Sequence, residues 1–370
     1  MSVPIVKFNT NDQPDFFLEL RKRVNQYFKD KNISKHANFN MKFKTVFMLV
    51  LYTAPLVLML TGVVSTLWPV MLMWVLMSMG MSGIGLSIMH DANHGSYSQN
   101  KKVNKALGYL LNYVGGYHVN WKIQHNVLHH SYTNIEGYDD DIANQIMRFS
   151  PTVKRRGIYR FQVYYAPFAY GLMSIYWFVA KDFIQLFRYN KKKLLAGQGL
   201  TIRRAFVYTI FNKAWYSVVF LVLPMLLVPI PWWQSLIGFL LMHFLCGLVL
   251  ALIFQPAHVI EETNFFVPDE SSSVENNWAI HQMKTTANFA RESRLFSWFV
   301  GGLNYQIEHH LFPNICHVHY RSISSIVKET AREFNVPYYE HRTFYAALKS
   351  HFSLIHQFGT GEYDRRLAKA

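Results

Sequence analysis

The residues of this chain best suited to chemistry are histidines. Of 17 His, most of the clustered ones fall in three short runs: His90-Asp91-Ala92-Asn93-His94, His125-Asn126-Val127-Leu128-His129-His130 and Gln306-Ile307-Glu308-His309-His310. Residues four apart on an α-helix share a face, with Cβ atoms about 5–6 Å apart, so His90 with His94, and His125 with His129, can converge on one ion. His130 points in a different direction and can reach a second ion, while Gln306 shares its facing direction with His309 and His310. His258, in Gln255-Pro256-Ala257-His258, can join them from the end of an apolar block. Eight imidazoles exceed the roughly six positions of one octahedral ion, so two ions are implied. The isolated His36, His243, His341, His351 and His356 read as satisfied polar residues.

Neutral imidazole suits Zn, Cu, Fe and Ni alike. Cys246 and Cys316 are the only cysteines, which leaves neither a disulfide framework nor a Cys-rich zinc module. Neither H-E-x-x-H nor H-x-x-E-H occurs, so the usual zinc-peptidase patterns are absent. A thiolate-poor, two-ion site argues for redox or hydrolytic use, and iron with O₂ would supply a strong oxidant. The isolated Gly83-Ile84-Gly85 sits in an apolar block and makes no nucleotide fingerprint.

Membrane helices must position these residues. Charged side chains make up 16% of the chain and hydrophobic ones 51%, against about 25% charged in ordinary soluble domains. Residues 46–89 and 214–257 contain no Asp, Glu, Lys or Arg, and each block is about twice the ~20 residues that one span needs. Breaks near Trp68-Pro69 and Pro229–Trp233 predict spans at about 46–66, 68–89, 214–231 and 235–255. The uncharged stretch 161–180 is long enough to cross, but crossing would put the basic loop 181–205 outside, against the positive-inside rule. It reads instead as an interfacial helix, and 13–29 as an amphipathic, surface-lying one. The expected fold is all-α integral membrane, with four transmembrane helices in two hairpins and a cytosolic helical cap holding the histidines. Its parts are a cytosolic amphipathic segment at 1–45, a main domain at 46–340 and a cytosolic tail at 341–370. No removable signal peptide is expected. The net charge of +15 fits basic cytoplasmic loops against anionic lipid rather than a nucleic-acid partner.

The order H-D-x-x-H, then H-N-x-x-H-H-x-x-T-N from His125 to Asn134, then N-x-Q-I-E-H-H-L-F-P from Asn304 to Pro313 resembles the membrane fatty acid desaturases over roughly residues 45–340. Within them it is similar to the front-end acyl-lipid and acyl-CoA branch, in which Gln replaces the first His of the third run. The resemblance implies two non-haem irons on the cytoplasmic face, O₂ as co-substrate and a fatty acyl-CoA or acyl-lipid substrate. His90, His94, His125, His129, His130, His258, His309 and His310 would then be ligands, with Gln306 a weak ligand or water holder. Asp91, Asn134 and Glu308 would orient imidazoles from behind. No H-P-G-G haem motif occurs, so electrons are expected from a separate ferredoxin or cytochrome b5 type donor with its reductase. The expected location is a bacterial inner membrane, otherwise the endoplasmic reticulum. A hydroxylase or ketolase with the same histidine pattern is the nearest alternative. A metal transporter is more remote, since it would want ionisable residues within the spans.

Overall fold

The computed structural model describes residues 6–142 and 146–368; the outermost residues of both expected terminal segments lie outside these. Four helices are long and apolar enough to cross a bilayer, Phe39–Leu60, Leu67–Asn93, Ile202–Leu227 and Trp232–Ala257, as befits a membrane protein. The first and third begin well before the charge-free blocks. Asn38 accepts a hydrogen bond from the Met41 N–H at 3.1 Å and so starts the first helix ahead of Lys42 and Lys44. Thr201 does the same for the third, ahead of Arg203, Arg204 and Lys213. The expected interfacial helix at 161–180 is broken into Gly157–Phe161, Gln162–Gly171, Met173–Tyr176 and Trp177–Lys181, continuing into Asp182–Lys191.

The chain makes two compact units. The first is built from Asn38–Ile123 and Phe168–Ala251. Its first two apolar helices approach backbone to backbone, because a Cβ on Gly80 would lie 2.6 Å from the Tyr52 nitrogen. Two buried polar clusters within this unit are matched internally. His243 is wholly buried between Ser174 Oγ and Tyr216 OH, each 3.0 Å from a ring nitrogen. Lys213 Nζ donates to Asp182 Oδ2 at 2.5 Å, Gly115 O at 2.6 Å and Trp177 O at 3.1 Å. Asp182 Oδ1 accepts in turn from Trp177 Nε1 at 3.0 Å and Asn120 Nδ2 at 3.2 Å.

The second unit takes the N-terminal residues up to Ala37 together with Gln124–Pro167 and Leu252–Ala370. Helix Pro14–Asp30 is amphipathic as its sequence requires, but it does not lie on a membrane surface by its apolar face. Phe16, Leu20, Val24 and Phe28 are buried in a protein core with Ile323, Val327 and Ala331 of helix Tyr320–Glu333, and Arg23 pairs with Glu333 at 2.7 Å. The expected tail at 341–370 is likewise part of this unit. Helix Phe344–Thr360 packs so closely that a Cβ on Gly359 would lie 2.1 Å from Tyr159 O, and Arg148 reaches Asp364 at 2.9 Å. Leu354, Ile355 and Phe358 of that segment are buried. Two short parallel pairings, Lys7–Phe8 with Ser273–Val274 and Ala287–Phe289 with Tyr339–His341, complete the unit.

Candidate metal centre

In the first unit, helix Leu67–Asn93 passes through a π-helical turn, Ile84–Ile88, before reaching His90. His90 and His94 face each other with ring centroids 4.8 Å apart, and Trp121 packs on both at 5.6 and 5.9 Å. Asp91 Oδ1 is 3.7 Å from His90 Nδ1, too far for a hydrogen bond.

The second run lies on a longer π-helix, Lys122–His129. A π-helix closes i to i+5 rather than i to i+4, and this changes which imidazoles share a face. His130, expected to point away from His125, has its Nε2 3.2 Å from His125 Nε2, and 3.0 Å from His309 Nε2. A single ring nitrogen cannot donate to both neighbours. Ligand nitrogens at about 2.1 Å from a shared ion, at right angles to one another, are separated by about 3.0 Å.

His129, His258 and His310 form a second convergence, with one ring nitrogen from each within 4.8 Å of the others. All three side chains are buried, and in each the Nε2 has no hydrogen-bond partner among the described residues. The Nδ1 of each is occupied. His129 Nδ1 is 3.1 Å from both Asp139 oxygens, His258 Nδ1 is 3.2 Å from Thr285 O, and His310 Nδ1 is 2.8 Å from Gln282 Oε1. These acceptors fix the proton on Nδ1 and leave three Nε2 lone pairs aimed inward, the tautomer a metal requires. Three orphaned, buried acceptors would be costly without an ion, so the residues fit a metal.

Electrostatics differ among the three. Burial would lower the His129 imidazole, but the charges of Asp139 and Asp141 outweigh it and raise its pKa. Burial, aided by the neighbouring His129, pushes His258 down to about 3. Burial, with the other imidazoles around it, takes His310 well below its ordinary value.

Helix Gln306–Leu311 carries the third run. Gln306 is fully buried, and neither its Oε1 nor its Nε2 has a hydrogen-bond partner among the described residues. Glu308, expected behind an imidazole, instead accepts from Asn288 Nδ2 and Tyr338 OH, both at 2.8 Å. The pairing of Ala287–Phe289 with Tyr339–His341 brings those two partners together, and burial raises the Glu308 carboxyl above its usual range. Asn134 also bonds no imidazole. It sits at φ 55, a conformation Asn tolerates, and its Nδ2 grips the backbone carbonyl of His258 at 2.9 Å. Behind His129 stand the carboxylates of Asp139 and Asp141, and the neutral groups behind the other candidate ligands include Gln282, the Thr285 carbonyl and the Tyr320 hydroxyl. Their one sequence signal was the acidic run Asp139-Asp140-Asp141 shortly after His129.

The model of the family described as fatty acid desaturase matches residues 66–342. The chain is 37% identical over 343 residues to the sn-1 linoleoyl-lipid 6-desaturase of Arthrospira platensis, covering 92% of this chain and 91% of the relative. The protein of the same description from Synechocystis sp. is 36% identical, with 92% and 94% covered. An acyl-lipid (8-3)-desaturase of Physcomitrium patens is 34% identical, with 95% and 73% covered.

Proposed function

Because this chain belongs to the fatty acid desaturase family and is a fatty acyl desaturase, we propose that it acts on a lipid-linked, already unsaturated acyl chain and places the new double bond at position 6, on the carboxyl side of the existing one. The observation that carries this is the similarity to two relatives named as lipid 6-desaturases over 92% of the chain. The hydroxylase, ketolase and transporter alternatives have no such support. Expression in a desaturase-free host supplied with linoleate, with gas chromatography and mass spectrometry of each lipid class, tests the proposal. A new bond at position 6 appearing first in glycerolipid is expected; a bond on the methyl side, or product appearing first in the acyl-CoA pool, contradicts it.

The proposed cofactor is a pair of irons. His129, His258 and His310 are proposed to hold one through Nε2, with His125, His130 and His309 as further ligands; His90 and His94 are proposed as ligands from their place in the family's histidine pattern. Bound there, iron with O₂, two electrons from a separate donor and two protons would supply the oxidising power to remove two hydrogens from adjacent methylenes, O₂ leaving as two waters. The chain's own residues set the conditions. Asp139, Thr285 and Gln282 keep three imidazoles in one tautomer. The Phe254 ring packs on His125 at 5.6 Å and His129 at 6.3 Å, an apolar wall that excludes water.

Gln306 is proposed to work in this centre, because a buried amide with both ends unmatched is costly unless a water or an ion meets it. Gln306→Ala is expected to lower turnover about 10-fold or more at unchanged iron content, by the scale of outer residues at metal sites. Gln306→His restores turnover only if the amide ligates directly. Wild-type yield from the Ala variant at equal iron would make Gln306 a bystander.

The apolar helices are proposed to form two hairpins, with the centre on the cytoplasmic face, since an even number of spans keeps the basic loops inside. A Lys192→Cys variant should then escape an impermeant thiol reagent added to intact cells, and labelling from outside would sink this arrangement.

A further inference from the structure

We propose that Asp139 is a positioning residue that makes His129 the strongest donor of its three-imidazole set, by giving its Nδ1–H an anionic acceptor where His258 and His310 have neutral ones. This rests on the metal-centre reading above and adds the inequality among the ligands. Asp139 is 1% exposed, and both of its oxygens lie 3.1 Å from His129 Nδ1. Its own loop holds it in place. The Asn134 N–H donates to Oδ2 and the Asp141 N–H to Oδ1, each at 2.9 Å.

No Lys or Arg ion-pairs with Asp139 among the described residues; its charged contact is the imidazole. A buried carboxylate without a basic partner is costly unless positive charge lies close by. Asp141 adds a second anion 3.4 Å from the same Nδ1 and is itself held by Gln124 Nε2. By contrast, Thr285 offers His258 a backbone carbonyl, and Gln282, fixed by its own bond to His130 O at 3.2 Å, offers His310 an amide oxygen. An anionic acceptor pulls the Nδ1 proton and raises electron density at Nε2, which strengthens that nitrogen as a ligand. His129 therefore anchors the ion, and His258 and His310 complete its surroundings.

The test uses the full chain in detergent, stripped of metal, titrated anaerobically with Fe(II) against a competing chelator. Asp139→Asn keeps an oxygen acceptor and the side-chain volume while removing the charge. It is expected to weaken Fe(II) binding about 10–100-fold with the melting point of the metal-free protein unchanged. Should that melting point fall, Asp139→Glu carries the test, and it is expected to recover affinity over Asn because it restores the charge. His258→Ala is run alongside. Fe(II) affinity of Asp139→Asn within twofold of wild type, or Glu no better than Asn, with His258→Ala losing the ion, overturns the role given to Asp139 alone. Retention of the ion by both Asp139→Asn and His258→Ala overturns the three-imidazole assignment, and this inference with it.

Discussion

Replacing His258 by Ala is expected to cut desaturation by on the order of 100-fold or more and to lower the iron content of the folded protein. The magnitude follows from outer residues at metal sites alone being worth about 10–100-fold, while His258 presents a buried, unmatched Nε2 directly. Removing it leaves His129 and His310 as the two remaining donors of that set. The Asn134 bond to the backbone carbonyl of residue 258 does not depend on the side chain, so the local fold should persist. His351 provides the contrast. It is as deeply buried, and its Nδ1 is 2.7 Å from Val259 O. Its ring belongs to a packed helix rather than to the convergent set, so His351→Ala should lower the melting point and leave iron per folded chain unchanged. Gas chromatography of fatty acids and elemental analysis of purified protein read both effects. Wild-type yield and iron in His258→Ala would remove it from the ligand set.

Asp182→Asn is expected to destabilise the protein by about 3–5 kcal/mol, the usual cost of removing one partner from a buried ion pair. Lys213, its side chain 10% exposed, would keep two carbonyl acceptors and lose its counter-charge. Trp177 and Asn120 would lose an anionic acceptor as well. The change should appear as a fall in the thermal midpoint of detergent-solubilised protein, read by size-exclusion chromatography. Adding Lys213→Met should recover much of the loss, since Met keeps much of the Lys volume and removes the unmatched charge. An unchanged midpoint for Asp182→Asn would show that the pair contributes nothing to the fold.

The Lys213 and Asp182 pair also marks where sequence reading reached its limit. Charge-free blocks located four apolar helices, but they cut two of them short, because a Lys or Arg does not end a helix when a cap starts it earlier or when the charge is matched. No composition rule announces that Lys213 will find Asp182 thirty-one residues back in the chain. The histidines were legible because metal chemistry demands that residue type in clusters. Their facing directions were less so, since the π-helix Lys122–His129 replaces the i,i+4 relation with i,i+5 and has no signature in residue type. The partners behind the imidazoles were missed for a related reason. Gln282 and Thr285 lie far from the ligands in sequence and meet them only through tertiary packing, whereas Asn134 and Glu308, close to the ligands in sequence, hold backbone and neighbouring strands instead. Amphipathic patterning in Pro14–Asp30 was read correctly as a one-sided helix, but the pattern alone does not say whether lipid or protein covers the apolar side.

Metal exchange discriminates between iron held by these imidazoles, as proposed for this acyl desaturase, and any other metal in their place. Purified protein should carry about two irons per chain, the number that eight imidazoles imply. It should lose desaturation on anaerobic chelation and regain it with Fe(II) but not with Zn(II). Full activity in iron-free protein holding stoichiometric zinc would rule out an iron-dependent desaturation.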